Sequence, residues 1–131
     1  MGSRFPYHLA AALDRELEHL DRYFHSRGAP EDLDAERAQM LLARAQERRR
    51  EAFDRVSRAG SLQHGSGLMQ AVAHGKPPAM AFEEGRRAKG AALTDEFQEQ
   101  RRIRYLESIL PSLRAKEKPT VDGAASTAEK S

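Results

Sequence analysis

Cysteine is absent from the 131 residues. That removes disulfides, thiolate metal sites and cysteine nucleophiles, and it fits a reducing cytoplasmic setting. Long apolar runs are also absent: nothing approaches the ~18 consecutive residues that cross a bilayer, so no membrane partner is expected. The opening stretch MGSRFPYHLAAALDRE turns charged too early for a secretory leader. Pro6 stands where a myristoylation signal wants Ser or Thr. An excess of one charge is missing too, since 22 basic residues face 20 acidic ones. Leu, Ile, Val and Phe are scarce, with 23 in the chain. That density lies just under the ~20 % level associated with disorder, but the large net charge that completes the signature is not there. The composition describes a helical protein with narrow apolar seams and a large solvated surface. Such seams bury little alone, so a second chain is expected to complete the core.

What the chain does have is helical periodicity. Leu9, Leu13, Leu17, Leu20 and Phe24 are spaced by four, four, three and four residues, which puts them on one helix face. Gly28 is expected to stop this helix, and Pro30 with Glu31 and Asp32 to start the next. A second helix is expected from about residue 31 to about 59. Ala38, Leu41, Leu42, Ala45, Ala52, Phe53, Val56 and Ala59 form its broad apolar face. Its small residues would allow a neighbour to approach closely. Residues 1–60 therefore read as an antiparallel helical hairpin.

Residues 61–93 are rich in glycine and carry Pro77-Pro78. They read as a flexible connector holding at most short helices. Thr94 is placed to cap a further helix over 94–115, with Asp95 and Glu96 in its first turn. Ile103, Leu106, Leu110 and Leu113 make a seam of two heptads, and Pro111 is expected to kink or end it. Residues 116–131 are small and polar and read as a disordered tail. The fold class is all-α.

The stretch ARAQERRREAFDRVSR, residues 43–58, carries six arginines and three acids. Two readings compete. Glu51 and Arg55, Arg50 and Asp54, and Asp54 and Arg58 are each four apart, the spacing of ion pairs along a helix. On that reading the stretch is a solvated face. The alternative is a grip on nucleic-acid phosphates by Arg44, Arg48 and Arg55 together with Arg101, Arg102 and Arg104. Against it, Glu47 and Glu51 flank the ridge and no aromatic residue is there for base stacking. Arg49 projects from the middle of the apolar face. A charge there must snorkel, pair with a carboxylate such as Glu16 or Glu18, or mark a partner surface.

Catalytic patterns fail one by one. Glu16 and His19 have the Glu-x-x-His spacing of di-iron bundles, but the further inward carboxylates are missing. HGSGL at 64–68 and HGKPP at 74–78 do not complete a phosphate loop. Gly-x-Ser-x-Gly fails as well, because His64 and Leu68 stand where glycines are needed. His64 and His74 read as surface loop residues. No cofactor and no enzymatic activity are expected. The expected function is protein–protein interaction or assembly, as a homo-oligomer or a subunit of a complex. The expected interface comprises Leu13, Leu17, Leu20, Phe24, Leu41, Arg49, Phe53, Val56, Ile103, Leu106, Leu110 and Leu113.

Overall fold

A computed structural model describes the backbone of residues 3–24 and 28–130, and the side chains of 3–24 and 28–117. The described residues are all-α, with no strand. The elements are α1 (Tyr7–Leu20), a single 3-10 turn (Asp21–Tyr23), α2 (Ala35–His64), α3 (Ser66–Ala73) and α4 (Pro78–Lys130). The chain divides into two compact units. One is Met1–Ala45 with Arg101–Ser131, and the other is Gln46–Gln100.

The first unit is built on leucine. Leu13 and Leu17 of α1, Leu41 of α2 and Leu106 of α4 are almost wholly removed from solvent. Leu20, Leu42, Ile103, Ile109, Leu110 and Leu113 complete the cluster, and Phe24 packs against it. Each fully buried leucine is worth about 1.5–3 kcal/mol relative to exposure. The seam residues expected to await a partner therefore pack on one another within the chain.

The entry into α2 differs from the expected one. It begins at Ala35 rather than near residue 31 because Asp34 is the better cap. Its Oδ1 accepts the Arg37 amide at 2.7 Å, the geometry of an N-cap aspartate. Glu117 Oε1 accepts the Ala35 amide at 2.9 Å, so a second carboxylate satisfies a free N–H of the same helix end. Pro30 sits instead in the preceding turn, where its carbonyl accepts the Leu33 amide. The first helix also ends early, α1 at Leu20 with the 3-10 turn after it, rather than at Gly28.

The second unit has no leucine core. Its buried apolar side chains are Ala52, Ala59, Ala81 and Ala92. With no larger apolar side chain between them, α2 and α4 approach until backbone meets backbone. A β-carbon at Gly85 would stand 2.7 Å from the Ala59 carbonyl oxygen, so only glycine fits there.

This alanine seam explains three departures from the sequence expectations. Gly60 does not end α2, which continues to His64; packing of Ala59 and Gln63 on α4 outweighs the roughly 1 kcal/mol glycine penalty. Residues 61–93 are largely helical rather than a connector, with α3 and the first part of α4 inside them. Finally, Thr94 lies inside α4, where its hydroxyl donates to the Gly90 carbonyl at 3.0 Å, a back-bond rather than a cap. The start of α4 is Pro78, which suits a first helical position. Gly75, at φ 92°, makes the turn before it. Pro111 does not terminate α4; flanking Leu110 and Leu113 hold the helix in the leucine core. The tail expected from residue 116 lies mostly outside the residues whose side chains are described.

Two glycines of α4 should respond oppositely to alanine. Gly85→Ala should destabilise the protein by about 1–3 kcal/mol through overpacking. At Gly90 nothing lies within 4 Å of an added β-carbon, and Gly90→Ala should stabilise by about 0.5–1 kcal/mol. Chemical denaturation followed by circular dichroism reads both. The same measurement on Leu106→Ala should show a loss of about 2–5 kcal/mol.

Candidate functional site

The arginines decide what the surface can offer. In the first unit, Arg44 Nε lies 2.7 Å from Asp14 Oδ1 and its Nη2 3.0 Å from Oδ2. Arg102 is buried and grips Asp21 with two bonds, at 2.9 and 2.8 Å. Arg37 is held by Glu16. Hydrogen bonding to that carboxylate is the main cause of its raised pKa. Glu16, half of the Glu-x-x-His pair, is therefore committed to an arginine. No three His, Asp or Glu side chains converge on a metal position among the described residues.

In the second unit the pairing crosses between helices. Arg48 Nε lies 2.9 Å from Glu99, Arg49 Nε 2.8 Å from Glu96 and Arg55 Nη2 3.0 Å from Asp95. Arg49 thus finds its carboxylate on α4 rather than at Glu16 or Glu18, and its guanidinium lies over the Phe53 ring at 5.3 Å. Of the pairs expected along α2, Glu51–Arg55 gives way to the exposed Arg55–Asp95 pair, and neither Arg50–Asp54 nor Asp54–Arg58 forms among the described residues. On α4, Glu83 is held down to about 2, chiefly by hydrogen bonding from Arg86. Of the six arginines considered for phosphate contact, Arg44, Arg48, Arg55 and Arg102 carry their own carboxylates.

Arg101 and Arg104 are different, being exposed on α4. Arg101 lies over the Phe24 ring at 5.1 Å, and Phe24 meets Tyr105 in a tilted arrangement at 5.3 Å between centroids. The Tyr105 hydroxyl donates to the Gly28 carbonyl. Burial raises the Tyr105 pKa, with a smaller contribution from Tyr23, so the phenol stays protonated as a donor. Together these residues wall a cleft of about 790 Å³, which continues along α4 past Ser108 and Ser112 to Lys116.

Apolar side chains left in solvent are concentrated in the second unit. Phe53 is 47 % exposed, against its expected place in the apolar seam, and Phe82, Leu93 and Phe97 are 41, 45 and 59 % exposed. Val56 is half-buried. Phe53, Phe82 and Leu93 each directly follow a buried alanine, and Phe97 follows the half-buried Glu96. One residue turns a helix by about 100°. Because the two helix segments run in opposite directions, that turn carries all four side chains to the same side of the pair. His64 follows buried Gln63 by the same rule, and its ring meets that of Phe82 at 5.7 Å. His64 is thus a helical residue, and His74 closes α3, with ring Nδ1 2.7 Å from the Gln70 carbonyl oxygen. The sequence pattern missed this stripe because Phe82, Leu93 and Phe97 lay in or beside the glycine-rich segment.

No protein-family model, curated protein or solved structure matches this chain. Among the described residues, no helix is long and apolar enough to cross a membrane.

Two outcomes follow from the pairing. Arg48→Ala strands the buried Glu99 carboxylate and should cost about 2–3 kcal/mol, whereas Arg55→Ala breaks an exposed pair and should cost under about 1 kcal/mol. Denaturant titrations compare them directly. For Tyr105 the folded pKa lies above the unfolded value of about 10. Its contribution to stability is complete below that value and is lost as pH rises through the folded pKa. Thermal melts between pH 8 and 11.5 should therefore fall more steeply for the natural protein than for Tyr105→Phe.

Proposed function

We propose that this protein is a non-catalytic assembly subunit, two copies of which pair face to face through the apolar side of the Gln46–Gln100 unit. The observation that carries this reading is the stripe of Phe53, Phe82, Leu93 and Phe97. A helical layer whose buried apolar side chains are all alanine has little apolar stabilisation of its own, and stable domains cover such a layer with another. Closing two helical pairs into a four-helix arrangement is a common solution, and a two-fold axis makes one surface serve both partners.

Area supports the same occupant. The four exposed side chains present roughly 400 Å² of apolar surface, a scale at which exposed patches are often functional. The helix segments behind them are about 28 Å long and together about 20 Å wide. A face of that size, with Gly60 and the stem of Lys89 on the same side, approaches the roughly 800 Å² per partner of a standard interface. On this reading the leucine-rich unit, with α1 and the start of α2 as an antiparallel hairpin, is the scaffold rather than the interface. The binding residues are then Phe53, Phe82, Leu93 and Phe97, in place of the leucines of the two seams. A broad nucleic-acid grip is the less favoured reading, since most of the candidate arginines carry their own carboxylates.

Sedimentation velocity over about 1–100 µM tests the proposal. The natural chain should run as a dimer that dissociates on dilution. Leu93→Glu and Phe97→Glu should run as folded monomers, with helical content unchanged by circular dichroism. A natural chain that stays monomeric throughout, or two variants that remain dimeric, would overturn it.

A further inference from the structure

We infer that the cleft beside Arg101, Arg104 and Lys116 binds a small molecule carrying two or more phosphate groups. Residues 101, 104, 105, 108, 112 and 116 fall on one face of α4, so the cleft is lined along its length by a single helix. That face presents three cations and three hydroxyl groups, on Tyr105, Ser108 and Ser112, and among the described residues no carboxylate lines the cleft. Two other clefts of the same unit have acids in their walls, Glu16 and Asp32 in one and Glu36 in the other. The acid nearest Lys116 in sequence, Glu117, is turned away to the Ala35 amide.

The three cations are available for a ligand. Arg101 is positioned by the Phe24 ring rather than by a carboxylate. Arg104 and Lys116 make no ion pair among the described residues. This sets them apart from Arg37, Arg44, Arg48, Arg49 and Arg55 of α2, which bond to Asp or Glu. A guanidinium pair matches phosphate oxygens by geometry as well as charge. Arg101 and Arg104, three residues apart on the helix, can hold one phosphate between them. Lys116 lies about 18 Å further along the helix from Arg104. Long side chains from both ends narrow that gap to the span of a triphosphate or a bisphosphorylated sugar, rather than that of a single phosphate. Ser112 supplies a donor in between, while the Ser108 hydroxyl donates to the Tyr105 carbonyl at 2.6 Å. The volume, about 790 Å³, falls in the range of small-molecule sites. The cations and hydroxyls of the lining stand beside apolar groups of Phe24, Ala29, Ile109 and Leu113. The phosphates are the part of the ligand that the cations define.

Isothermal titration calorimetry on the full chain tests this with sodium tripolyphosphate, inorganic phosphate and a twelve-nucleotide single-stranded DNA as probes. Tripolyphosphate should bind one per chain and at least about 10-fold more tightly than inorganic phosphate. Arg104→Ala and Lys116→Ala should each weaken it about 10-fold, and Arg86→Ala, which removes an exposed charge elsewhere, should not. Melting temperatures of all three variants should match the natural chain, since these side chains are exposed. No binding of tripolyphosphate, equal weakening by Arg86→Ala, or binding of the oligonucleotide alone would each overturn the assignment. Oligomeric state, measured separately, leaves this test unaffected.

Discussion

The size of the side chains buried along α2 and α4 is the constraint from which the rest of the molecule follows. Where the seam is leucine, in the unit of Met1–Ala45 and Arg101–Ser131, the chain makes a core that excludes water by itself. Where the seam is alanine, in Gln46–Gln100, the helices come close enough that Gly85 has no room for a β-carbon. Close approach maximises contact between backbones, and no apolar side chain larger than alanine is buried there. The phenylalanines of that region are therefore driven to the flank, where they stand in solvent.

Charge is distributed by the same geometry. Narrow seams put the edges of neighbouring helices within reach of long side chains, and arginine is the residue best suited to use that reach. Arg48, Arg49 and Arg55 bond to Glu99, Glu96 and Asp95, and Arg102 and Arg44 to Asp21 and Asp14. These pairs act as latches that fix the register of helices whose apolar contacts are small or slippery. Pairs with one buried member contribute most to that specificity, because a misplaced register would leave a charge without a partner in a dry seam. Arginines used in this way cannot also hold phosphate, and Arg101, Arg104 and Lys116 are among the described cations that make no ion pair.

The proposed roles therefore fall on different parts of the chain. The self-pairing face uses the residues that an alanine seam expels. The proposed phosphate cleft uses the cations that the latches leave over. The self-pairing face shares no residue with the leucine core, whereas the cleft shares Tyr105, Ile109 and Leu113 with it; its exposed cations can still be altered without removing the apolar burial that holds the fold.

Composition and periodicity alone determined the all-α class, the leucine face of α1, and the seam of Ile103, Leu106, Leu110 and Leu113. Those are properties of repeat spacing, which local sequence carries in full. Helix limits around Gly60 and Thr94 were decided by tertiary contacts, whereas the start of α2 combines a local cap, Asp34 on the Arg37 amide, with a distant one, Glu117 on the Ala35 amide. Packing on a facing helix outweighs the cost of a mid-helix glycine, and a threonine hydroxyl serves a cap or a back-bond depending on what lies beyond it. The partner of Arg49 and the exposure of Phe53 were likewise invisible in one dimension. Both depend on which residues of α4 lie opposite, some 40 or more positions away, and no pattern within α2 encodes that register.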